Sequence, residues 1–266
     1  PDVLQTDQIA IVGSRNASRD GLAQAHDFSA ELARHGLVVT SGLALGIDTA
    51  AHEGALDSNG LTLAVCGTGP DRIYPARNRT LAEKIIEEGA LVTEFPPGTE
   101  ASARHFPQRN RLISGLSLGV LVVEAALQSG SLITARKALE QGREVFAMPG
   151  SIHNPMARGC HRLIREGAKL VETAADVLEE LGDLVTVAPR ESRLDLPNSE
   201  PQHTDNPSID DSHRQLLKAM GFGPVSVNEM TDSSGLTVEA VSSMLLILEL
   251  EGHVEQRPGG IYQRCR

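Results

Sequence analysis

An α/β fold with a doubly wound, mostly parallel sheet is predicted for most of this chain, followed by a small winged-helix domain. Three observations predict it. Short, near-continuously apolar runs alternate with helical segments from Ile9 to Val171, as strands covered on both faces require. Most of these runs end in a glycine-bearing turn: Gly13-Ser14-Arg15, Ser41-Gly42, Gly67-Thr68-Gly69 and Pro149-Gly150-Ser151. Beyond residue 212 the pattern changes to three short helical stretches and a hairpin.

The strands are expected at Ile9–Val12, Leu37–Thr40, Leu61–Cys66, Ala90–Thr93, Gly119–Val123 and Glu144–Met148. After the first, Gly13 allows a sharp turn, and Ser14 and Ser18 are candidate caps. The segment from Gly21 to Gly36 has helical periodicity and stops at a glycine. Repeated strand–glycine–helix units make a Rossmann-like domain over residues 1–182. From Asp183 to Ser212 the sequence is polar, acidic and proline-bearing, and reads as a flexible linker over 183–212. The winged-helix domain is expected over 213–266. Its first helix includes Leu216–Met220, its second is capped by Ser226 and its third by Thr237, and a Pro-Gly-Gly turn joins two strands. The third helix, which would enter the major groove in a regulator, has two Glu and no Lys or Arg. That argues for protein contact or packing instead, because phosphate attraction is missing.

The formal net charge of −11 argues against a generic basic nucleic-acid binder. The arginines are clustered, however, as Arg72, Arg77 and Arg79 and as Arg104, Arg109 and Arg111, so a local positive groove on an acidic body is expected. No apolar stretch approaches the roughly 20 residues of a membrane span. Three widely spaced cysteines without a CxxC motif suit inert thiols in a reducing cytoplasm. The first residue is Pro1 rather than Met, which leaves an upstream segment open.

In doubly wound sheets ligands gather beyond the carboxyl ends of the strands. Gly13, Ser14 and Arg15 stand there, at a strand-to-helix turn whose N–H groups and helix dipole suit a phosphate. The dinucleotide fingerprint GxGxxG is absent. Ser41 and Gly42, and then Gly67, Thr68 and Gly69, end the next two strands. Tyr74 is a candidate base-stacking residue, and Arg77 and Arg79 are candidate phosphate ligands. Arg109, Asn110 and Arg111 precede an apolar helix; phosphate contact or an internal ion pair with Glu94 or Glu124 would both use them. Ser129, Gly130, Ser131 and Thr134 form a further helix-opening turn. Asp48 and His52, spaced i,i+4, are either a polar pair at the ligand rim or a capping Asp with a surface His. Glu124 ends an apolar strand and is expected to orient an arginine rather than act as a base. No nucleophile elbow and no metal-ligand spacing occurs.

These stretches together resemble the DNA-processing protein A (DprA, Smf) family of recombination mediators. The resemblance covers nearly all of residues 1–182 through Ile9–Ser18, Ser41–His52, Gly67–Asn78, His105–Gly115, Val122–Thr134, Gly142–Ser151 and Gly159–Leu170. It implies binding of single-stranded DNA without sequence preference, loading of the RecA recombinase during natural transformation, a homodimer, and neither catalysis nor a cofactor. By position it assigns phosphate binding to Gly13, Ser14 and Arg15, with Ser41, Gly42, Gly67, Thr68 and Gly69 around the same pocket. Asn110 with its flanking arginines and the Ser129–Thr134 turn match further family stretches. His161, Leu163, Ile164 and Leu170 fall in the region that resembles the self-association surface. Members often carry a basic residue where Leu45 stands and a Lys where Ala76 stands, so affinity is expected to lean on Arg77, Arg79, Arg109 and Arg111. The family's helical N-terminal domain has no counterpart here, in keeping with a truncated start. Two other readings compete. One is a nucleotide-processing phosphoribohydrolase of the lysine-decarboxylase-like type, whose PGGxGTxxE run is missing. The other is a winged-helix regulator, which the acidic third helix opposes.

Overall fold

The computed structural model describes residues 2–185, 213, 216–217, 220, 225–234, 236–250, 252–257 and 260–264. Contacts divide the chain into two compact units, Pro1–Ser192 and Arg193–Arg266. Beyond residue 185 the linker expected over 183–212 lies outside the described residues.

The first unit is built on seven parallel strands: β1 (Gln8–Val12), β2 (Val38–Ser41), β3 (Thr62–Val65), β4 (Ala90–Val92), β5 (Gly119–Val122), β6 (Glu144–Ala147) and β7 (Lys169–Leu170). Their order is β4-β3-β2-β1-β5-β6-β7. Six strands fall where the apolar runs predict them, within one or two residues at each end. Strand β7 is short and exposed and has no apolar run to announce it.

Among the described residues seven α-helices connect and cover the strands: α1 (Arg19–Arg34), α2 (Ile47–Asp57), α3 (Arg79–Glu88), α4 (His105–Leu116), α5 (Ser131–Glu140), α6 (Arg158–Arg165) and α7 (Ala174–Leu181). Alternation along β1 assigns the two faces. Ile9 and Ile11 pack with Phe28 and Leu32 of α1, Ala51 of α2 and Val177 of α7. Ala10 and Val12 pack with Ile113 of α4, Ala135 of α5 and Leu163 of α6 on the other face. Every residue of β1 is buried, which explains its continuous apolar run. Ser18 caps α1 by accepting from the Gly21 N–H, whereas Ser14 accepts from the Asn16 N–H at 3.1 Å and caps no helix.

In the second unit α8 (Val227–Ser234) and α9 (Val238–Leu250) pack on residues 216, 217 and 220, which are helical and buried. Strands β8 (Val225–Ser226), β9 (Val254–Arg257) and β10 (Ile261–Arg264) pair antiparallel in the order β8-β10-β9. Ser226 and Glu229 form a reciprocal cap at the start of α8, and Thr237 accepts from the Ala240 N–H at the start of α9. The expected Pro-Gly-Gly turn includes residues 258 and 259, outside the described residues. Among the described residues no helix is long and apolar enough to cross a membrane.

Candidate nucleic-acid interface at the switch point

Strand order runs outward from β1 through β2, β3 and β4 on one side, and through β5, β6 and β7 on the other. The strand order therefore reverses between the parallel neighbours β1 and β5, and a doubly wound sheet leaves a crevice beyond the carboxyl ends of the strands at such a point. A recess of about 750 Å³ occupies this position, lined by Ser14, Arg15, Asn16, Asp48, Tyr74, Phe106, Arg109, Asn110, Ser129, Gly130, Ser131, Thr134 and Met156 among others.

The turn after β1 forms one wall. A side chain at Gly13 would collide with Ile47 Cγ1 at 2.6 Å and with the Glu124 carbonyl at 2.9 Å, so glycine is required by packing. Gly46 lies against the same turn with φ +82°, and a Cβ there would meet the Ser14 carbonyl oxygen at 2.3 Å. The Ile47 N–H donates to that oxygen at 3.1 Å. These contacts push Arg15 out into solvent, where its guanidinium lies 5.4 Å from the centroid of the Phe106 ring. Phe106 in turn packs on Tyr74, with ring centroids 5.6 Å apart. The opposite wall is the start of α5. Ser131 and Thr134 are buried there, and the Ser129 hydroxyl accepts from the Ser131 N–H at 3.3 Å.

Among the sequence-predicted residues, Gly13, Ser14, Arg15, Arg109, Asn110, Ser129, Gly130, Ser131 and Thr134 line this one recess. Others do not. The Ser41 hydroxyl is fully buried and donates to the Ile11 carbonyl at 2.6 Å. Thr68 donates to the Arg72 carbonyl at 2.8 Å, and Gly67 lies beneath the Phe106 ring. Those turns support the recess from behind because the side chains of α4 lie across them. Arg77 and Arg79 are exposed, with Arg77 in a neighbouring recess.

The two arginines flanking Asn110 have separate fates, because successive residues of a helix point about 100° apart. Arg109 is 4% exposed. Its Nη1 donates to the Gly42 carbonyl at 2.9 Å and to the Val65 carbonyl, and its Nε donates to Asn110 Oδ1 at 3.2 Å. Burial pulls its pKa down, opposed by the nearby Asp48 carboxylate. Arg111, expected from sequence as a phosphate ligand with an ion pair to Glu94 or Glu124 as the alternative, is exposed and paired with Glu94. Arg72 is likewise paired, with Glu100 and Asp71.

Asp48 and His52 do not meet. Asp48 accepts from the N–H groups of Gly42 at 3.1 Å and Ala44 at 3.3 Å, bracing the loop after β2. Burial raises its pKa and Arg109 opposes the rise. His52 is fully buried rather than on the surface, with Nδ1 2.7 Å from the Thr62 hydroxyl. That hydroxyl donates to the Val39 carbonyl at 2.6 Å, so His52 carries its proton on Nδ1, and Nε2 has no partner. Burial pushes the His52 pKa down to about 3, with Arg109 adding to the effect.

Glu124 orients no arginine. Its carboxylate accepts from the Ser18 N–H at 2.9 Å, the Ser18 hydroxyl at 2.6 Å and Asn154 Nδ2 at 3.4 Å. A free helix N-terminus was the nearer partner, and the apolar run before Glu124 says nothing of it. Phe106 has no role assigned from sequence, although an aromatic three residues ahead of Arg109 in so aromatic-poor a chain is a usable signal. Cys66 and Cys160 are buried free thiols; burial raises both pKa values, that of Cys160 to about 12.

Leu163 of the expected dimer region packs into its own core and Ile164 is half-buried against it. His161 accepts or donates at the Gly150 backbone, 2.9 Å from its carbonyl. Leu170 is 49% exposed on β7, the sheet's edge strand.

Comparison with known proteins sets this geometry in a family. The DNA recombination-mediator protein A family model matches residues 1–182, and the DprA winged helix domain model matches residues 200–260. Protein Smf of Escherichia coli is 46% identical over 264 residues, covering 99% of this chain and 69% of that protein. DNA processing protein DprA of Streptococcus pneumoniae is 49% identical over 179 residues, covering 67% of this chain and 63% of that protein. The solved structure of the pneumococcal protein superposes with a TM-score of 0.64 at 48% identity, covering 67% of this chain and 63% of that one. DNA processing protein A from Helicobacter pylori superposes with a TM-score of 0.63 at 29% identity, covering 68% and 82%. A family match over the whole sheet, joined to 46% identity with Smf over 99% of this chain, leaves one assignment: this chain belongs to the DNA recombination-mediator protein A family.

Proposed function

We propose that this protein binds single-stranded DNA without sequence preference at the switch-point recess, as a non-enzymatic recombination mediator. The observation that carries the reading is the exposed Arg15 guanidinium over the Phe106 ring, in a recess that the N-terminal turn of α5 also lines. A backbone phosphate fits the free edge of the guanidinium and the helix N-terminus, and a base fits against Tyr74 and Phe106. None of these groups reads a base edge, so affinity is independent of sequence. The single-stranded DNA binding mode of the Helicobacter pylori relative supports the same reading. Gly13, Ser14, Asn110, Ser129, Gly130, Ser131 and Thr134 shape this site, while Arg109 holds its floor.

By the same family relationship the protein acts in the cytoplasm, loads RecA onto the bound strand and works as a homodimer. The dimer contact is proposed along the free edge of β7, with Leu170 of each copy as its exposed apolar element. The deciding experiment is equilibrium binding of single- and double-stranded oligonucleotides across a salt series. Preference for single strands, with affinity falling as salt rises, is expected. Duplex preference would favour a winged-helix regulator, and binding of neither would overturn the reading.

A further inference from the structure

A second recess, of about 650 Å³, shares Arg15 and Asn16 with the first, so the turn after β1 is the ridge between them. Both volumes lie in the usual range for ligand sites, roughly 300–1,000 Å³. The second recess has an apolar lining from Leu22, Ala23, Leu45 and Ala50. Most of its polar groups are already engaged. The Thr49 hydroxyl donates to the Ala44 carbonyl at 2.8 Å, and Asn78 donates to Thr49 and to the Leu43 carbonyl, each at 2.9 Å. His26 is held by Asp57 at 3.0 Å and by Asp27. Arg15, Arg77, Asn16 and Glu53 remain, and their side chains form no hydrogen bond or ion pair with another described residue.

The distribution of charge decides what such a recess accepts. A phosphate inside it would face the Glu53 carboxylate, whereas a phosphate on the ridge would face Arg15 and Arg77. A flat, neutral ring carrying N–H donors is suited to the apolar lining and to Glu53. We propose that this recess takes a nucleobase of the same strand that fills the first recess, with the phosphate between them lying on the Arg15 ridge and reaching Arg77. This rests on the single-strand reading above and adds the direction of the strand: from Phe106, over Arg15, toward Arg77. It also gives Leu45 a role as an apolar surface under the base.

The test is binding of oligothymidylates of increasing length. Wild-type affinity is expected to rise in two steps, the first when one recess is filled and the second when the strand crosses the ridge. Two neutral variants address the second step without changing charge. Leu45→Ser removes part of the apolar lining, and Ala23→Trp, at an exposed helical position, fills the space. Both are expected to bind the shortest strands as wild type does and to lose the second step. Circular dichroism and thermal melting check that each is folded, and the two variants are independent of one another. If folded variants show the same two steps as wild type, this proposal is wrong and the single-strand reading stands. If wild-type protein binds no oligothymidylate of any length, both fall together.

Discussion

Arg109 and Gly42 are joined by a hydrogen bond of 2.9 Å from the Arg109 guanidinium to the Gly42 carbonyl, in a position closed to solvent. The same guanidinium reaches the Val65 carbonyl, so one side chain of α4 ties together the carboxyl ends of β2 and β3. Asp48 approaches from the other side and accepts the Gly42 N–H. Arg109→Ala would take the guanidinium donor from the Gly42 and Val65 carbonyls and the nearby positive charge from the buried Asp48 carboxylate, which would keep only the Gly42 and Ala44 N–H groups. A loss of about 3 kcal/mol of stability is expected, read by urea unfolding. The neighbouring Arg111→Ala breaks only an exposed ion pair and is expected to stay within about 0.5 kcal/mol of wild type.

Arg15 is exposed and forms no ion pair among the described residues, so Arg15→Ala is expected to leave the melting temperature unchanged. Single-strand affinity should fall, and the dependence of log affinity on log salt should flatten by roughly 0.7 for the phosphate contact removed. Unchanged affinity and slope in a folded variant would remove Arg15 from the interface. Phe106→Ala should also weaken binding. The two losses should be non-additive by about 0.5–1 kcal/mol, because the cation and the ring share one contact.

Gly46→Ala is a small change with a large expected cost. The residue has φ +82°, and a methyl group there would press on the Ser14 carbonyl oxygen. Strain and collision together should destabilise the protein by about 2 kcal/mol or more. Displacement of the turn after β1 should weaken single-strand binding beyond the stability loss. Thermal melting and binding at a temperature where the variant is folded separate the two effects.

His52 makes stability depend on pH in a defined direction. Its ordinary pKa of 6.5 drops to about 3 in the fold, so between those values the unfolded chain binds a proton that the native protein does not. Stability from this group is therefore complete above pH 6.5 and is lost as pH falls toward 3, at up to about 1.4 kcal/mol per pH unit. Asp48, whose pKa is raised by burial, acts in the opposite sense near the acidic end. In His52→Asn the donor to Thr62 is retained and the titrating ring is gone. The stability difference between wild type and variant should shrink steadily as pH is lowered through this window; a constant difference would exclude His52 as the source.

The sequence by itself determined the layered frame. Strands buried on both faces need continuous apolar runs, and six such runs, four of them ending in glycine-bearing turns, mark the positions of β1 to β6. It also determined which turns carry small polar residues and arginine, because those types are excluded from the core and placed at strand ends. Only the tertiary structure decided the rest. Which turns share a recess depends on strand order, and order is set by contacts between segments far apart in the chain. That is why Gly13–Arg15 and Ser129–Thr134 converge while Gly67–Gly69 lies beneath α4. The split between buried Arg109 and exposed Arg111 follows from helix rotation against the sheet. The engagement of Glu124 by Ser18 follows from β1 and β5 being neighbours. Residue type announces a charge; only packing decides whether that charge faces a carbonyl, a carboxylate or the solvent.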